Sequence, residues 1–372
     1  MRIAPTLLCL SLFGCAPQQL VVLSSTELGP LPTNTAIRGR DGGWSAAWQG
    51  RSIWMYGDTI LASPGEDGSA SRSNTMSWTE ALDADVAAGI GGFTEQVDAL
   101  GAPFEILPVT AAEVDYNAAH AGPGCVAPDA DPCGSSHVLW PGPLVADPDR
   151  DRALAFWWAM HIEPGSVQGR GMGIAEWTDP DAQPVRPILD PDAADPTLLF
   201  PADSLTPANG AVLDGNWLFA FACPGAVDKR CRLGRVRAED ALEHDAWQWY
   251  RGLGDWSYDP ANASALFEGS DMMSVHRSPS LNRWLVIYSK PMANRVVART
   301  AEALEGPWSD EVELFRTVAP TEADTWSYAG LGHAEFADGG LEYVTYYRAT
   351  GVWSGEVRQV QVELDMAAAG AQ

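Results

Sequence analysis

Asp41 and Asp58 are the residues whose types and spacing could do chemistry. They bracket two runs rich in aromatic and small residues, 43–48 and 52–56, joined by Gln49-Gly50. A two-residue connection of this kind closes a β-hairpin. With Trp48 facing Arg51, opposed residues keep a constant index sum of 99, and Asp41 and Asp58 share it. Directly opposed side chains hold their Cβ atoms roughly 4.5 to 5.5 Å apart, where like charges are destabilising. A sheet with no use for the pair has reason to avoid it. At that separation one carboxyl can keep a proton near neutral pH while the other stays ionised, giving a general acid beside a nucleophile or base. The competing reading is local: Asp41 before Gly42-Gly43 and Asp58 before Thr59 each cap a turn. A one-residue bulge would move the register and remove the geometric argument.

The elements that must position this pair repeat along the chain. A turn followed by an apolar, aromatic strand occurs five times: Gly50-Arg51 with IWMYGDT, Arg150-Asp151-Arg152 with ALAFWWAM, Asp214-Gly215-Asn216 with WLFAFA, Asn282-Arg283 with WLVIYS, and Gly339-Gly340 with LEYVTYY. The later copies are about sixty residues apart, which suits one four-stranded propeller blade each. The first interval is near a hundred and implies an insertion at 83–136, rich in Ala, Gly, Asp and Pro. Outer strands of unit one are expected at 74–78 and 104–107, and only Glu239 to Trp247 offers a brief helix. The last unit lacks an outer strand after Val362, which Leu20 to Leu23 can supply to close the ring. The expectation is an all-β, five-bladed β-propeller with four-stranded blades over 35–366, closed by an N-terminal strand within 15–34 and followed by a disordered tail, 367–372.

The 372 residues carry a formal net charge of −26, which argues against nucleic acid and anionic membrane surfaces as partners. Sixteen Trp suit layered sheets or sugar-stacking surfaces. At the N-terminus, an apolar run too short to span a bilayer ends in Leu12-Phe13-Gly14-Cys15. That pattern reads as a lipoprotein signal over 1–14, with lipidation of Cys15; an ordinary secretory signal is the alternative. Export permits disulfides, and Cys125 with Cys133 and Cys223 with Cys231 are the pairings expected. Neither spacing resembles a zinc knuckle. The reading calls for no cofactor and no metal. It places a monomer in the bacterial cell envelope, on the outer membrane or periplasmic face, held to the membrane by lipid alone.

Arg40-Asp41-Gly42-Gly43, Trp54 to Thr59, Asn74, Leu139-Trp140-Pro141-Gly142-Pro143, Arg283-Trp284 with Tyr288-Ser289, and Gly306-Pro307-Trp308 together resemble the five-bladed propellers of domain of unknown function 4185. That family includes endo-D-arabinanases, and its architecture is similar to the wider arabinanase and fructosidase propellers. The resemblance, over about 35–363, implies a glycoside hydrolase with Asp41 and Asp58 at the positions expected to carry catalysis. The wider arabinanase pattern draws carboxylates from three blades, whereas inner strands 137–145 and 208–213 contain no acid. Asp271 and Glu335 are the further acids near inner strands. Trp44 and Trp140 are candidates to stack on a sugar ring, and His276 and His333 to line the central pocket. Cleavage of a furanosidic, arabinan-like polysaccharide is the first functional reading. A glycan-binding propeller without catalysis and a structural envelope platform are the alternatives.

Overall fold

Aromatic strands that hide both faces must lie between layers, and the layers here are sheets set side by side around an axis. The computed structural model describes residues 18–122, 124–226, 228–322 and 325–368. In it, five antiparallel sheets form the blades of a five-bladed β-propeller. Blade one contains Ile37–Trp48 and Arg51–Leu61, with the short strands Ser71–Arg72 and Thr75–Thr79 both paired to the second. Blade two runs Ser136–Asp147, Arg152–Glu163, Ser166–Trp177 and Phe200–Pro201. Blade three begins Gly210–Asp214, Trp217–Ala222, Arg230–Arg237. Blade four is Met273–Ser278, Arg283–Ser289, Arg295–Ala301 and Val312–Arg316. Blade five is Tyr328–Gly332, Leu341–Gly351 and Ser354–Ala368, with Gln18–Pro30 antiparallel to the last strand as its outermost member.

The core is divided among the blade junctions. Trp48, Met55 and Ile53 of blade one pack with Trp157 and Trp177 of blade two, and Phe156 and Met172 of blade two pack with Leu218 and Trp249 of blade three. Phe221 and Cys231 meet Tyr288 and Val297, Leu285 and Ile287 meet Val344 and Tyr346, and Tyr343 with Phe336 returns to Trp54 and Tyr56. Each large apolar side chain buried at a junction contributes about 1.5 to 3 kcal/mol. The many tryptophans therefore serve largely as mortar between blades.

Several local expectations need correction. Residues 104–107 form no strand; the Ile106 and Leu107 backbone N–H groups donate to Asn74 Oδ1 at 2.9 and 2.8 Å, so a side chain takes the place of a ladder partner. The insertion holds an α-helix, Ala111–His120, started by a capping box between Thr110 and Glu113. Residues 239–247 make only two 3-10 turns, Ala238–Asp240 and His244–Ala246. Blade three exceeds four strands, adding Gln248–Gly252, Asp255–Ser257 and Ala265–Glu268. Ala367 and Ala368 pair with Gln19 and Gln18.

Cys125 is bonded to Cys133 and Cys223 to Cys231. Two such bridges point to an oxidising, extracellular or periplasmic location. Among the described residues no helix is long and apolar enough to cross a membrane. Cys15 and the signal segment lie outside the described residues, as does 369–372.

Candidate active site

The hairpin carrying the two aspartates is regular from Trp48↔Arg51 to Trp44↔Met55 and then shifts register three times, the first two of them on either side of Gly42. Gly43 is an extra residue on the first strand, because Gly42 pairs with Tyr56. One step on, Arg40 pairs with Thr59, so Asp41 stands opposite both Gly57 and Asp58. The two bulges fall on opposite strands and cancel, so the index sum returns to 99. Gly42 and Gly43 take positive φ of 79° and 114°, the backbone region the bulge requires. Gly57 has a different reason: a Cβ there would lie 2.4 Å from Asp41 Oδ1. The sequence thus leaves room for Asp41 to lie against its neighbour strand.

Tyr328, from the inner strand of blade five, donates its hydroxyl to Asp41 Oδ2 at 2.6 Å. Burial, reinforced by the nearby Asp58 charge, raises the Asp41 carboxyl from 3.8 to about 7; the Tyr328 hydroxyl and the Asp58 backbone N–H act in the opposite sense. Asp58 is exposed to the cleft, and its Oδ1 accepts from Trp140 Nε1 at 2.9 Å. Burial by the surrounding walls pushes its carboxyl up, the Trp140 N–H pulls it back, and Glu105 adds a further upward push. Burial and the charge of Asp41 hold the Tyr328 phenol well above its usual range, so it stays a donor.

Both aspartates open into a cleft of about 550 Å³ to which every blade contributes. Trp44, Trp140, Trp158 and Met160 form an apolar wall, while Asn209, Asp271, Met272 and Tyr328 complete the lining. Trp44 and Trp140 thus both line the cleft, Trp44 itself being buried. Asp271 also lines the cleft, but it is exposed and ion-paired with Lys229 at 2.5 Å. Glu335 is elsewhere, accepting from Ser52 Oγ at 2.6 Å.

His276 and His333 do not line this cleft, which corrects the sequence expectation. His276 is buried with Nε2 3.1 Å from Glu342. His333 is buried with its ring nitrogens 2.7 Å from Ser45 Oγ and 2.8 Å from Thr345 Oγ1, stacked 4.0 Å from Trp54. Burial, with the His276 charge in the same direction, pushes His333 down to about 3. It is a neutral, satisfied core imidazole.

Sequence reasoning missed Tyr328, Trp158, Lys229 and Glu105. Trp158 was legible in principle: it faces Trp140 across a strand pair already recognised. Tyr328 carried no such signal, since its strand is short and holds Ala329 at φ 52°. Among the described residues, the Asp/His/Glu group able to hold a metal is Asp131, His161 and Glu163, which does not line the cleft.

Residues 177–361 match the family described as Domain of unknown function (DUF4185). That match takes in just under half of the chain. The matched stretch spans the end of blade two to blade five, so Asp41 and Asp58 fall outside it. No curated protein matches the chain. Among solved structures, it is similar to a Bacteroides ovatus ATCC 8483 protein that is called a hydrolase without that activity being established, at 12% identity and a TM-score of 0.54, covering 88% of this chain and 87% of that one. That likeness speaks to the fold alone. Looser matches include a GH43_1 enzyme from Xanthomonas citri complexed with xylotriose, at 12% identity, TM-score 0.49 and 90% of each chain. Another is the alpha-L-arabinofuranosidase PaAbf62A from Podospora anserina in complex with cellotriose, at 12% identity, TM-score 0.45, 92% of this chain and 97% of that one.

Proposed function

We propose that this protein hydrolyses glycosidic bonds in a furanose-containing, arabinan-like polysaccharide of the cell envelope, with Asp41 as the acid and Asp58 as the nucleophile or base. The observation that supports this most is the opposed pair itself: two carboxyls in one cleft, one half-buried with its pKa raised to about 7 and the other open to the cleft. Two carboxyls with separated roles are what glycosidic cleavage needs. Asp41 gives its proton to the leaving glycosidic oxygen as that C–O bond breaks. Asp58 either forms the new bond to the anomeric carbon or takes a proton from the water that does. Tyr328 and Trp140 act as positioning residues, each fixing one carboxylate oxygen. Trp140, half-buried in the cleft wall, offers a surface for a sugar ring, with the buried Trp44 lining the cleft beside it. The neutral arabinan-like substrate is drawn from the family resemblance and suits an acidic protein.

Lipidation at Cys15, which would hold this monomer on the envelope, is part of the same reading and is checked by intact-mass analysis of the native protein. A soluble form beginning after Cys15 rejects it. The reading as a glycan-binding module draws on one observation: the third acid of the cleft, Asp271, is taken up by Lys229. Product release from a panel of arabinans, fructans and other envelope glycans separates the two. Cleavage by the wild type, abolished in Asp41→Asn and Asp58→Asn, supports hydrolysis. Equal binding by all three forms with no cleavage by any makes it a binding module.

A further inference from the structure

Behind the cleft wall lies a second set of ionisable groups that the hydrolytic reading does not use. His161 and Glu163 occupy alternate positions of the strand Arg152–Glu163 and so share one face, while Met160 between them and Trp158 points to the cleft. Asp131 reaches them from the loop stapled by Cys125–Cys133. One ligand atom from each of the three lies within 4.8 Å of the others.

The hydrogen-bond partners at this point decide which ring nitrogen of His161 is free. Tyr116 has a single hydroxyl hydrogen, and its oxygen is 2.5 Å from Asp131 Oδ2 and 3.0 Å from His161 Nε2. The nearer acceptor is a carboxylate, so Tyr116 donates to Asp131, and His161 Nε2–H must donate to the Tyr116 oxygen. In the neutral ring, Nδ1 is then a bare lone pair facing Glu163 Oε1 at 3.6 Å. Among the described residues, neither Asp131 nor Glu163 pairs with a lysine or arginine; His161 is the shared partner of both. The two half-buried carboxylates thus flank one ring, Glu163 at Nδ1 and Asp131 3.6 Å from Nε2.

We infer that Asp131, His161 and Glu163 form a binding site for a divalent first-row transition metal of the zinc type, which ties the disulfide-stapled insertion to the back of the cleft wall. One imidazole with two carboxylates and room for water is a donor set such ions accept, whereas calcium prefers six to eight oxygens. Zinc bonds of about 2.0 to 2.2 Å to nitrogen and oxygen span two donors 3.6 Å apart at roughly 120°, near the tetrahedral value. The outer support is already built: a ligating histidine normally donates its other N–H to a fixed acceptor, and Tyr116, stacked 3.8 Å from His137, is that acceptor here. The site owes nothing to the reading of Asp41 and Asp58.

The test uses the full chain without a polyhistidine tag, stripped with chelator, reloaded with zinc and examined by native mass spectrometry and by competition with a zinc dye. The expected result is about one zinc per chain, the number a single closed site takes. Binding is lost in His161→Gln and Glu163→Gln and weakened roughly 10- to 100-fold in Tyr116→Phe, which keeps all three ligands. Zinc raises the thermal midpoint of the wild type and not of His161→Gln, with far-UV circular dichroism confirming that the variant is folded. Zinc well below one per chain, or equal zinc in wild type and Glu163→Gln, overturns the assignment. So does a wild-type midpoint that ignores zinc and chelator alike.

Discussion

The same inner strands build two very different sets of neutral titratable groups. Asp41 and Ser45 lie on one strand of blade one, separated by about 13 Å at the usual rise per residue. Asp41 faces the cleft with Tyr328 of blade five, and Ser45 faces the sealed interior with His333, just beyond that same blade-five strand. Burial is the main cause of both shifts: Asp41 goes up to about 7 and His333 down to about 3. The consequences diverge. A protonated aspartate beside an open cleft has a proton to give, whereas an imidazole with both nitrogens occupied and a ring stacked on Trp54 has neither proton nor vacancy to offer. Perturbed titration alone therefore does not mark a site; it must coincide with space for a substrate.

The sharpest way to break this contrast is to remove the charges at each place. Asp41→Asn and Asp58→Asn are each expected to lower turnover by about three orders of magnitude or more while the fold is kept, measured as reducing-sugar release alongside thermal melts. Next in size is Gly57→Ala: its Cβ would stand 2.4 Å from Asp41 Oδ1, so the carboxyl must move. A displacement near 1 Å costs roughly 100-fold in rate, and kcat should carry the loss. His333→Ala belongs to the other class. It is expected to destabilise the fold by about 2 to 4 kcal/mol, through a cavity and unpaired partners, with kcat of the folded protein unchanged. Urea denaturation and active-site-normalised rates check both halves.

Smaller effects follow the sign of each shift. Asp41 has a raised folded-state pKa, so its contribution to stability is full below about 4 and is lost as pH rises through about 7. Asp41→Asn should accordingly raise the thermal midpoint at pH 8 and change it much less at pH 4. For His333 the depressed value means that stability is present above 6.5 and falls as pH drops towards 3. Tyr328→Phe removes a hydrogen bond that favours ionised Asp41, so the alkaline limb of the rate profile should move to higher pH.

Much of the ring was legible because its signals are periodic and local. Turn residues before each aromatic strand gave the blades, and Gln49-Gly50 gave the hairpin that pairs Trp48 with Arg51. The opposition of Asp41 and Asp58 was reached through a register that breaks and repairs itself, which no residue count reveals, since glycines at 42, 43 and 57 tolerate several pairings. The helix Ala111–His120 escaped notice because it has no apolar stripe, although Thr110 and Glu113 spell its capping box. His276 and His333 were misplaced because an inner-strand histidine looks alike from sequence whether it faces a channel, a cleft or a neighbouring blade. Tyr328 depends on a contact 287 residues away, beyond any local pattern.

The central claim, that burial and the Asp58 charge leave Asp41 holding a proton near neutral pH, can be tested without a substrate. A carboxyl-carbon NMR titration of the wild type, with the Asp41 signal assigned by its absence in Asp41→Asn, should show a midpoint near 7. In Asp58→Asn that midpoint should fall, because the charge that raises it is gone. An Asp41 midpoint close to 3.8, or one indifferent to Asp58→Asn, would contradict the account.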